Sequence, residues 1–250
     1  MSGRVFVIGL GPAGETMMTG EAKDALARAD DLIGYAPYLA RVPEISGQNR
    51  HPSDNRVERA RAEHALTLAA RGRCVAVVSG GDAGVFGMAA TIFEAIEAGE
   101  AALRALDITV IPGITAMLAA SARLGAPLGH DFCALSLSDN LKPWPLIEKR
   151  LRLAMDADFV IALYNPISRA RPWQLGAAFD IARAILPPET PVAFARAIGR
   201  EDERLALFSL AEADPARADM ATLIIIGARA SRLIMRPTGL PWFYTPRIAP

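Results

Sequence analysis

Cysteine and long apolar runs are both scarce in this 250-residue chain. Cys74 and Cys133 are the only cysteines; each lies in an apolar run and neither belongs to a CxxC pair, which excludes a disulfide framework or a cysteine metal cluster. The run at residues 221–227 is far shorter than the roughly 18 residues that a membrane span needs. The apolar start breaks at Gly9, too early for a signal-peptide core. We therefore expect a soluble, cytoplasmic protein.

The chain also has no excess charge of either sign. Lys plus Arg and Asp plus Glu both number 27, so no net field favours nucleic acid or an anionic membrane. Only three of the basic residues are lysines, Lys23, Lys142 and Lys149. An excess of arginine suits recognition of an anionic ligand, but the count alone is better explained by genome base composition. Individual arginines must be judged by position.

Short β-branched runs alternate with longer helical patterns, which predicts an α/β fold. The first half predicts strands at 4–10, 31–34, 73–79 and 108–111, and helices at 20–29, 57–71, 88–98 and 114–124. The second half predicts strands at 132–137, 159–164, 192–197, 204–209 and 221–227, and helices at 144–157 and 174–186. Consecutive late strands leave no room for a helix, so the second sheet should be mixed. We expect domains at 1–125 and 126–250, and a tail at 237–250 too rich in proline for regular structure.

Two glycine-rich loops follow predicted strands. Residues 9–14 match GxGxxG, a dinucleotide-binding pattern, but Pro12 removes an N–H and Glu15 adds negative charge where a pyrophosphate would lie. The second loop, residues 79–87, carries a single carboxylate, Asp82, which could also cap a helix or close an Asx turn. Because ligands of open α/β sheets bind at the carboxyl ends of strands, we expect both loops at one ligand-binding edge.

Taken together, the segments GLGPAGETMMT at Gly9 and SGGDAGVFGMA at Ser79 resemble the tetrapyrrole (corrin/porphyrin) methylases. The resemblance extends over nearly the whole chain through GYAPYL at Gly34, PGITAM at Pro112, LSLSDNLKPW at Leu135, IEKRL at Ile147, ADFVIALYNPISRAR at Ala157 and ARAIGREDE at Ala195. The later segments look most like members that act in cobalamin biosynthesis.

The resemblance implies a two-domain α/β fold with a mainly parallel N-terminal sheet, a mixed C-terminal sheet and a cleft between them, usually as a homodimer. It also implies S-adenosyl-L-methionine as methyl donor, with S-adenosyl-L-homocysteine as product. The residues that match donor-contacting segments are Gly9, Pro12, Gly81, Asp82, Val85, Phe86, Thr115, Ala116, Tyr164, Asn165, Thr222 and Leu223. Taken alone, Val85, Phe86, Ala116 and Leu223 are better explained as ordinary core residues.

The implied substrate is an anionic tetrapyrrole, a large ring bearing many carboxylates, which bidentate arginines suit. The residues assigned to it are Gly11, Arg169, Arg171, Arg196 and Arg200. Asp82 and Asp139 are the candidate catalytic acid/base groups. Arg56, Arg59 and Arg61 are interpreted as a solvated helix face, and His51 as a possible proton shuttle.

Some positions depart from the family pattern. Ala83 and Phe86 stand where the family commonly has Pro and Tyr, so no phenol chemistry is carried over, and Asn140 and Lys142 leave substrate contacts in their loop open. Three alternatives stay open. The nearest is another methylase of the same pathway that acts on a different corrin carbon or intermediate; the others are a family relative that modifies ribosomal RNA or protein, although neutral charge argues against RNA, and a binding protein without turnover. No metal-ligand cluster is predicted, so any metal would arrive with the substrate.

Overall fold

The computed structural model describes residues 3–248, which form two compact units dividing between Ala116 and Met117. The sequence suggested a later boundary, after residue 125. Within the described residues, no helix is long and apolar enough to cross a membrane.

The first unit is built on one five-stranded sheet, ordered β3-β2-β4-β1-β5, in which every neighbouring pair is parallel. Its strands are β1 (Arg4–Gly9), β2 (Asp31–Tyr35), β3 (Asn49–Ser53), β4 (Cys74–Ser79) and β5 (Asp107–Ile111). Its helices are α1 (Gly20–Arg28), α2 (Ala36–Leu39), α3 (Glu58–Ala70) and α4 (Met88–Ala98). Because β4, β1 and β5 are adjacent and parallel, the loops that follow them meet at one edge.

Both faces of this sheet are buried, and the period-two alternation of β1 shows how. Val5 and Val7 pack in a cluster with α3 and α4, whereas Phe6 and Ile8 pack in a second cluster with α1. A strand covered on both faces reads as a continuous apolar run, as residues 5–8 do. The start of α1 was also predicted correctly: the Thr19 side chain accepts a hydrogen bond from the Ala22 N–H at 3.1 Å.

The second unit contains a five-stranded sheet ordered β10-β9-β11-β8-β7. The sheet is mixed, as the sequence predicted. Its strands are β7 (Phe132–Ser136), β8 (Val160–Tyr164), β9 (Pro191–Arg196), β10 (Arg204–Ser209) and β11 (Thr222–Ile226). Strands β7 and β8 are parallel, and the other neighbouring pairs are antiparallel. Helices α6 (Trp144–Asp156) and α7 (Gln174–Arg183) share its apolar core. Helix α5 (Ala116–Leu124) begins at the division between the units.

The prediction that the proline-rich tail lacks regular structure is wrong. Strand β13 (Trp242–Tyr244) pairs with β12 (Arg232–Ile234) and β6 (Gly125–Ala126) in a three-stranded sheet. Pro241 and Pro246 lie on either side of β13, so neither proline removes an N–H from it. Aromatic residues favour strands, and Phe243 is fully buried. Residues 249–250 of this tail lie outside the described residues.

Arg61 corrects a second expectation, because it does not belong to a solvated helix face. Its side chain is buried and donates hydrogen bonds to the Ser53 hydroxyl and the Asp54 carbonyl, both at 2.8 Å. Burial lowers the pKa of Arg61. Arg59 does lie on the exposed face, where it pairs with Glu63 at 2.8 Å.

A buried carboxylate ties β2 to its neighbours at the amino end of the first sheet. Asp31, 2% exposed, accepts hydrogen bonds from Arg73 at 2.7 Å, from Asn49 at 2.9 Å and from His51 at 2.9 Å. Burial works to raise the pKa of Asp31, but these hydrogen bonds outweigh it and lower the pKa to about 2. The sequence suggested His51 as a proton shuttle. The structure places it in β3, where it is hydrogen-bonded to Asp31 and, at 3.2 Å, to His64.

The lowered pKa of Asp31 predicts a specific dependence of stability on pH. Since the folded-state pKa lies below the ordinary value, this carboxylate contributes about 2 kcal/mol above pH 4, and the contribution is lost as pH falls toward 2. Urea unfolding of Asp31→Asn should show that deficit at pH 7 and a shrinking deficit in acid. The control Asp107→Asn, in an exposed pair with Arg4, should change little. A deficit for Asp31→Asn that is constant with pH would contradict this assignment.

Candidate functional site

Three strand-end loops of the first unit touch through glycine backbone. Gly11 and Gly81 exchange a reciprocal pair of hydrogen bonds, with N–H to O distances of 3.0 and 2.9 Å. A Cβ atom built on Gly113 would lie 2.3 Å from the Gly81 carbonyl oxygen, and one on Gly9 would lie 2.6 Å from the Gly113 nitrogen. No side chain fits at Gly9 or Gly113, so the chain can approach this closely only as glycine. We call Gly9, Gly81 and Gly113 the glycine junction.

Asp82 joins the loop after β4 to the loop after β5. One carboxylate oxygen accepts the Gly84 N–H at 2.7 Å, which closes a local turn, and the other accepts the Gly113 N–H at 2.9 Å. Each carboxylate oxygen therefore already has a backbone donor. These contacts suit a group that holds the loops in place better than one that passes a proton on.

The remaining predicted donor-contacting residues of the first unit lie along the same edge. Pro12 and Thr115 are buried, Val85 and Ala116 are half-buried, and Phe86 is exposed. Phe86 also has a positive φ of 53°, which a bulky residue rarely adopts and which is often found at ligand sites. Gly11, predicted to contact substrate, is buried with φ 72°, and its N–H and carbonyl are both used by Gly81.

Two residues that the sequence reasoning did not single out support this edge. Arg41, just after α2, donates hydrogen bonds to the carbonyls of Gly11, at 2.7 Å, and Ala13. Tyr38 covers Gly80 so closely that a Cβ there would lie 2.7 Å from its ring carbon Cζ. Tyr38 belongs to the segment GYAPYL at the carboxyl end of β2, and Arg41 follows that segment. The sequence signal that could have identified these two residues is an aromatic residue and an arginine soon after a strand.

In the second unit, β7, β8 and β9 end where the antiparallel strand β11 begins, which brings the other predicted residues to one edge. Tyr164, at the end of β8, accepts the Met117 N–H at 3.0 Å through its hydroxyl. Asn165, with φ 51°, donates through its side-chain amide to the Ser136 hydroxyl at 3.0 Å. Thr222 and Leu223 are buried at the start of β11.

The four predicted carboxylate-binding arginines have different surroundings. Arg171 is only 7% exposed, and its Nη1 donates to the carbonyls of Asn165 at 3.0 Å and Leu137 at 3.4 Å, so it joins the loops after β7 and β8. Arg196 is bonded to two carboxylates, Asp202 at 2.5 Å and Asp219 at 2.6 Å. Arg169 and Arg200 are exposed.

The charge of Arg196 is largely balanced by its partners. Its hydrogen bond to Asp202 lowers the pKa of that carboxyl. Partial burial works against ionisation of Asp219, but hydrogen bonds from Arg196 and Thr222 lower the pKa of that carboxyl too. Arg196 is thus part of a structural ion pair network at the end of β9.

Asp139, the other candidate acid/base group, is half-buried in the loop after β7. Its Oδ2 accepts a hydrogen bond from the Gln174 side-chain amide at 3.1 Å, the only donor that the described residues give it. Unlike Asp82, it retains one oxygen without a donor among the residues described. No group of three or more His, Cys, Asp or Glu side chains within residues 3–248 could hold a metal ion.

The comparisons with known proteins define the class. The family described as Tetrapyrrole (Corrin/Porphyrin) Methylases matches residues 4–214, and the chain belongs to this family. Among curated relatives, a Sinorhizobium protein named precorrin-3B C(17)-methyltransferase is 56% identical over 247 residues, covering 99% of this chain and 97% of the relative. A Salmonella typhimurium protein named probable cobalt-factor III C(17)-methyltransferase is 42% identical over 228 residues, covering 90% and 92%.

Solved structures agree with this assignment. A crystal structure of the methyltransferase CobJ superimposes with a TM-score of 0.94 at 49% identity, covering 98% of this chain and all of that one. A uroporphyrin-III C-methyltransferase from Thermus thermophilus, complexed with S-adenosyl homocysteine, has a TM-score of 0.64 at 22% identity and covers 90% of this chain and 92% of that one, which shows the fold alone. The two-domain α/β fold that the sequence predicted is thus confirmed.

The contacts of Asp82 predict that Asp82→Asn is destabilising. The amide that replaces the carboxylate can accept from only one of the two backbone N–H groups and turns a donor toward the other. We expect the free energy of unfolding in urea to fall by about 1–3 kcal/mol. The control Asp24→Asn, on the exposed face of α1, should be near neutral. Equal stability of Asp82→Asn and the wild type would show that this carboxylate does not hold the loops.

Proposed function

We propose that the protein transfers the methyl group of S-adenosyl-L-methionine to C17 of precorrin-3B and contracts the ring to precorrin-4, in cobalamin (vitamin B12) biosynthesis. One observation carries the proposal: the 56% identity, over nearly the full length of both chains, to a relative named for the C17 reaction. The TM-score of 0.94 to the structure of the methyltransferase CobJ supports it.

The residues of the first unit fit the methyl donor. The glycine junction excludes side chains from the strand ends and brings backbone close to any ligand there, while half-buried Val85 and exposed Phe86 provide apolar surface. Backbone N–H groups and an apolar slot suit a methionine carboxylate and an adenine. We assign Gly81, Val85, Phe86, Thr115 and Ala116 to donor binding. By resemblance we add Gly9, Pro12, Tyr164, Asn165, Thr222 and Leu223.

When bound, the donor supplies an already activated methyl group. The C17–methyl bond forms as the sulfur–methyl bond breaks, leaving S-adenosyl-L-homocysteine. An electron-rich pyrrole carbon needs no strong base to attack, so the protein contributes chiefly by orientation and by excluding water. Ring contraction, in contrast, requires proton movement at the C20 hydroxyl, and an acid/base group within hydrogen-bond reach.

The contacts favour Asp139 over Asp82 for that proton. Both Asp82 oxygens accept backbone N–H groups, whereas Asp139 accepts one side-chain donor at Oδ2. We therefore assign Asp82 to holding the donor loops and Asp139 to acid/base work. For the ring carboxylates we assign Arg169 and Arg200 because both are exposed. Arg171 is buried, and Arg196 is paired with two carboxylates.

A second substrate is favoured by a specific finding. The relative named for cobalt-factor III is also matched over nine-tenths of its length, and its name specifies the same carbon. The alternative is therefore C17 methylation of a cobalt-bearing ring. On family resemblance alone we also propose a cytoplasmic homodimer, which sedimentation showing a stable monomer at micromolar concentration would contradict.

Turnover is tested by supplying purified protein with S-adenosyl-L-methionine and one ring at a time: precorrin-3B, cobalt-factor III, precorrin-4 or uroporphyrinogen III. Methyl gain by mass spectrometry with a shifted absorbance spectrum is expected for precorrin-3B. Reaction with cobalt-factor III alone would select the cobalt-bearing substrate. Methyl gain only with precorrin-4 or uroporphyrinogen III would contradict the C17 assignment.

Donor binding is tested by Gly113→Ala. The added methyl group would displace the Gly81 and Gly9 carbonyls, so affinity for S-adenosyl-L-homocysteine in calorimetry should fall by about 10-fold or more. The control is Gly14→Ala, because a Cβ there meets no atom within 4 Å and φ is −78°. Unchanged affinity in Gly113→Ala would remove the glycine junction from donor binding.

A further inference from the structure

Gln174 is a polar residue in an apolar place. It begins α7, is 1% exposed, and is followed by residues of the second core, Leu175, Ala178 and Phe179. Burying an amide without hydrogen-bond partners has a free-energy cost that burying a leucine or methionine of similar size does not have. A buried glutamine at this position is therefore expected to make a specific hydrogen bond.

The partner of Gln174 is Asp139. Its Nε2 donates to Asp139 Oδ2 at 3.1 Å, while its buried Oε1 has no hydrogen-bond partner within residues 3–248. The amide must present nitrogen to Asp139 because an ionised carboxylate only accepts. Among the described residues, the bond to Asp139 is therefore the only hydrogen bond of this buried amide.

A second contact fixes the same loop from its other end. Trp173, next to Gln174, stacks edge-to-face on Trp144, with ring centroids 4.8 Å apart. Trp144 begins α6, and the loop that carries Asp139 leads directly into it. The start of α7 therefore holds both the carboxylate of Asp139 and the end of its loop.

We propose that Gln174 is a positioning residue for Asp139: it occupies Oδ2, aims the carboxyl group and leaves Oδ1 as the oxygen that gives or takes the proton. This inference rests on the proposed function, in which Asp139 moves a proton during ring contraction. Gln174 itself is buried and acts only through Asp139. No role in methyl-donor binding is assigned to it.

The test is a double-mutant cycle with Gln174→Met, Asp139→Asn and both together. Methyl gain is measured by mass spectrometry, ring contraction by absorbance, and S-adenosyl-L-homocysteine affinity by calorimetry. Asp139→Asn should slow contraction by about 100-fold, and Gln174→Met by about 10-fold through loss of aim. The double variant should be no slower than Asp139→Asn, because Gln174 works through that residue. Donor affinity should stay at the wild-type value.

The matched control is Gln48→Met. Like Gln174, Gln48 has a buried Oε1 without a partner among the described residues, but its Nε2 donates to the backbone carbonyls of Leu26 and Ala29. This variant should lose stability and keep the contraction rate. If Gln174→Met fails to fold, Gln174→Asn keeps the amide but shortens the side chain beyond reach of Asp139, and it should show the same coupling.

Urea unfolding of the four proteins in the cycle is independent of substrate. A non-additive shift of the midpoints would establish the contact in solution, and additive shifts would overturn the proposal. A non-additive shift together with a wild-type contraction rate in Gln174→Met would overturn the positioning role. If the wild type methylates no ring, the proposed function fails and the catalytic role of Gln174 fails with it, while the unfolding cycle still decides whether Gln174 orients Asp139.

Discussion

The close approach of backbone at Gly9, Gly81 and Gly113 is the constraint on which the proposed donor site depends. The strand order of the first sheet places β4, β1 and β5 side by side. Gly9 is the last residue of β1, and Gly81 and Gly113 lie in the loops that follow β4 and β5. Parallel strands alone would bring the loops to one edge. The absence of side chains lets them touch, and the carboxylate of Asp82 keeps them in contact.

The second unit solves a similar problem with side chains. Arg171 is buried and donates to carbonyls of the loops after β7 and β8, and Gln174 reaches the carboxylate in the first of these loops. These side chains add to the backbone hydrogen bond from the Leu137 N–H to the Tyr164 carbonyl, 2.9 Å long, where the two loops begin. The first unit combines glycine backbone contacts with the side chain of Asp82, and the second unit uses a buried arginine and a buried glutamine. In both units, residues within the fold hold the loops that carry the proposed site residues.

Periodicity and strand-end glycines predicted most of the fold, since β1, β4 and all the longer helices have strong local signals; the four-residue helix α2 was not predicted. The edge strand β3 and strand β13 were missed, because Asn49–Ser53 has little apolar character and β13 lies between prolines. Partners also could not be read from the sequence. Arg61, Arg171 and Arg196 resemble ordinary surface arginines along the chain, and only the tertiary structure gives each its buried or ion-paired surroundings. Gln174 carried no motif at all.

The most direct test of the proposed donor site is a crystal structure of the protein with S-adenosyl-L-homocysteine. We expect the ligand to contact backbone and side chains of residues 81–86 and Thr115, with the Gly11–Gly81 hydrogen bonds and the Asp82 contact to Gly113 intact. A ligand bound away from these loops, or a glycine junction that opens to admit it, would contradict this placement of the donor.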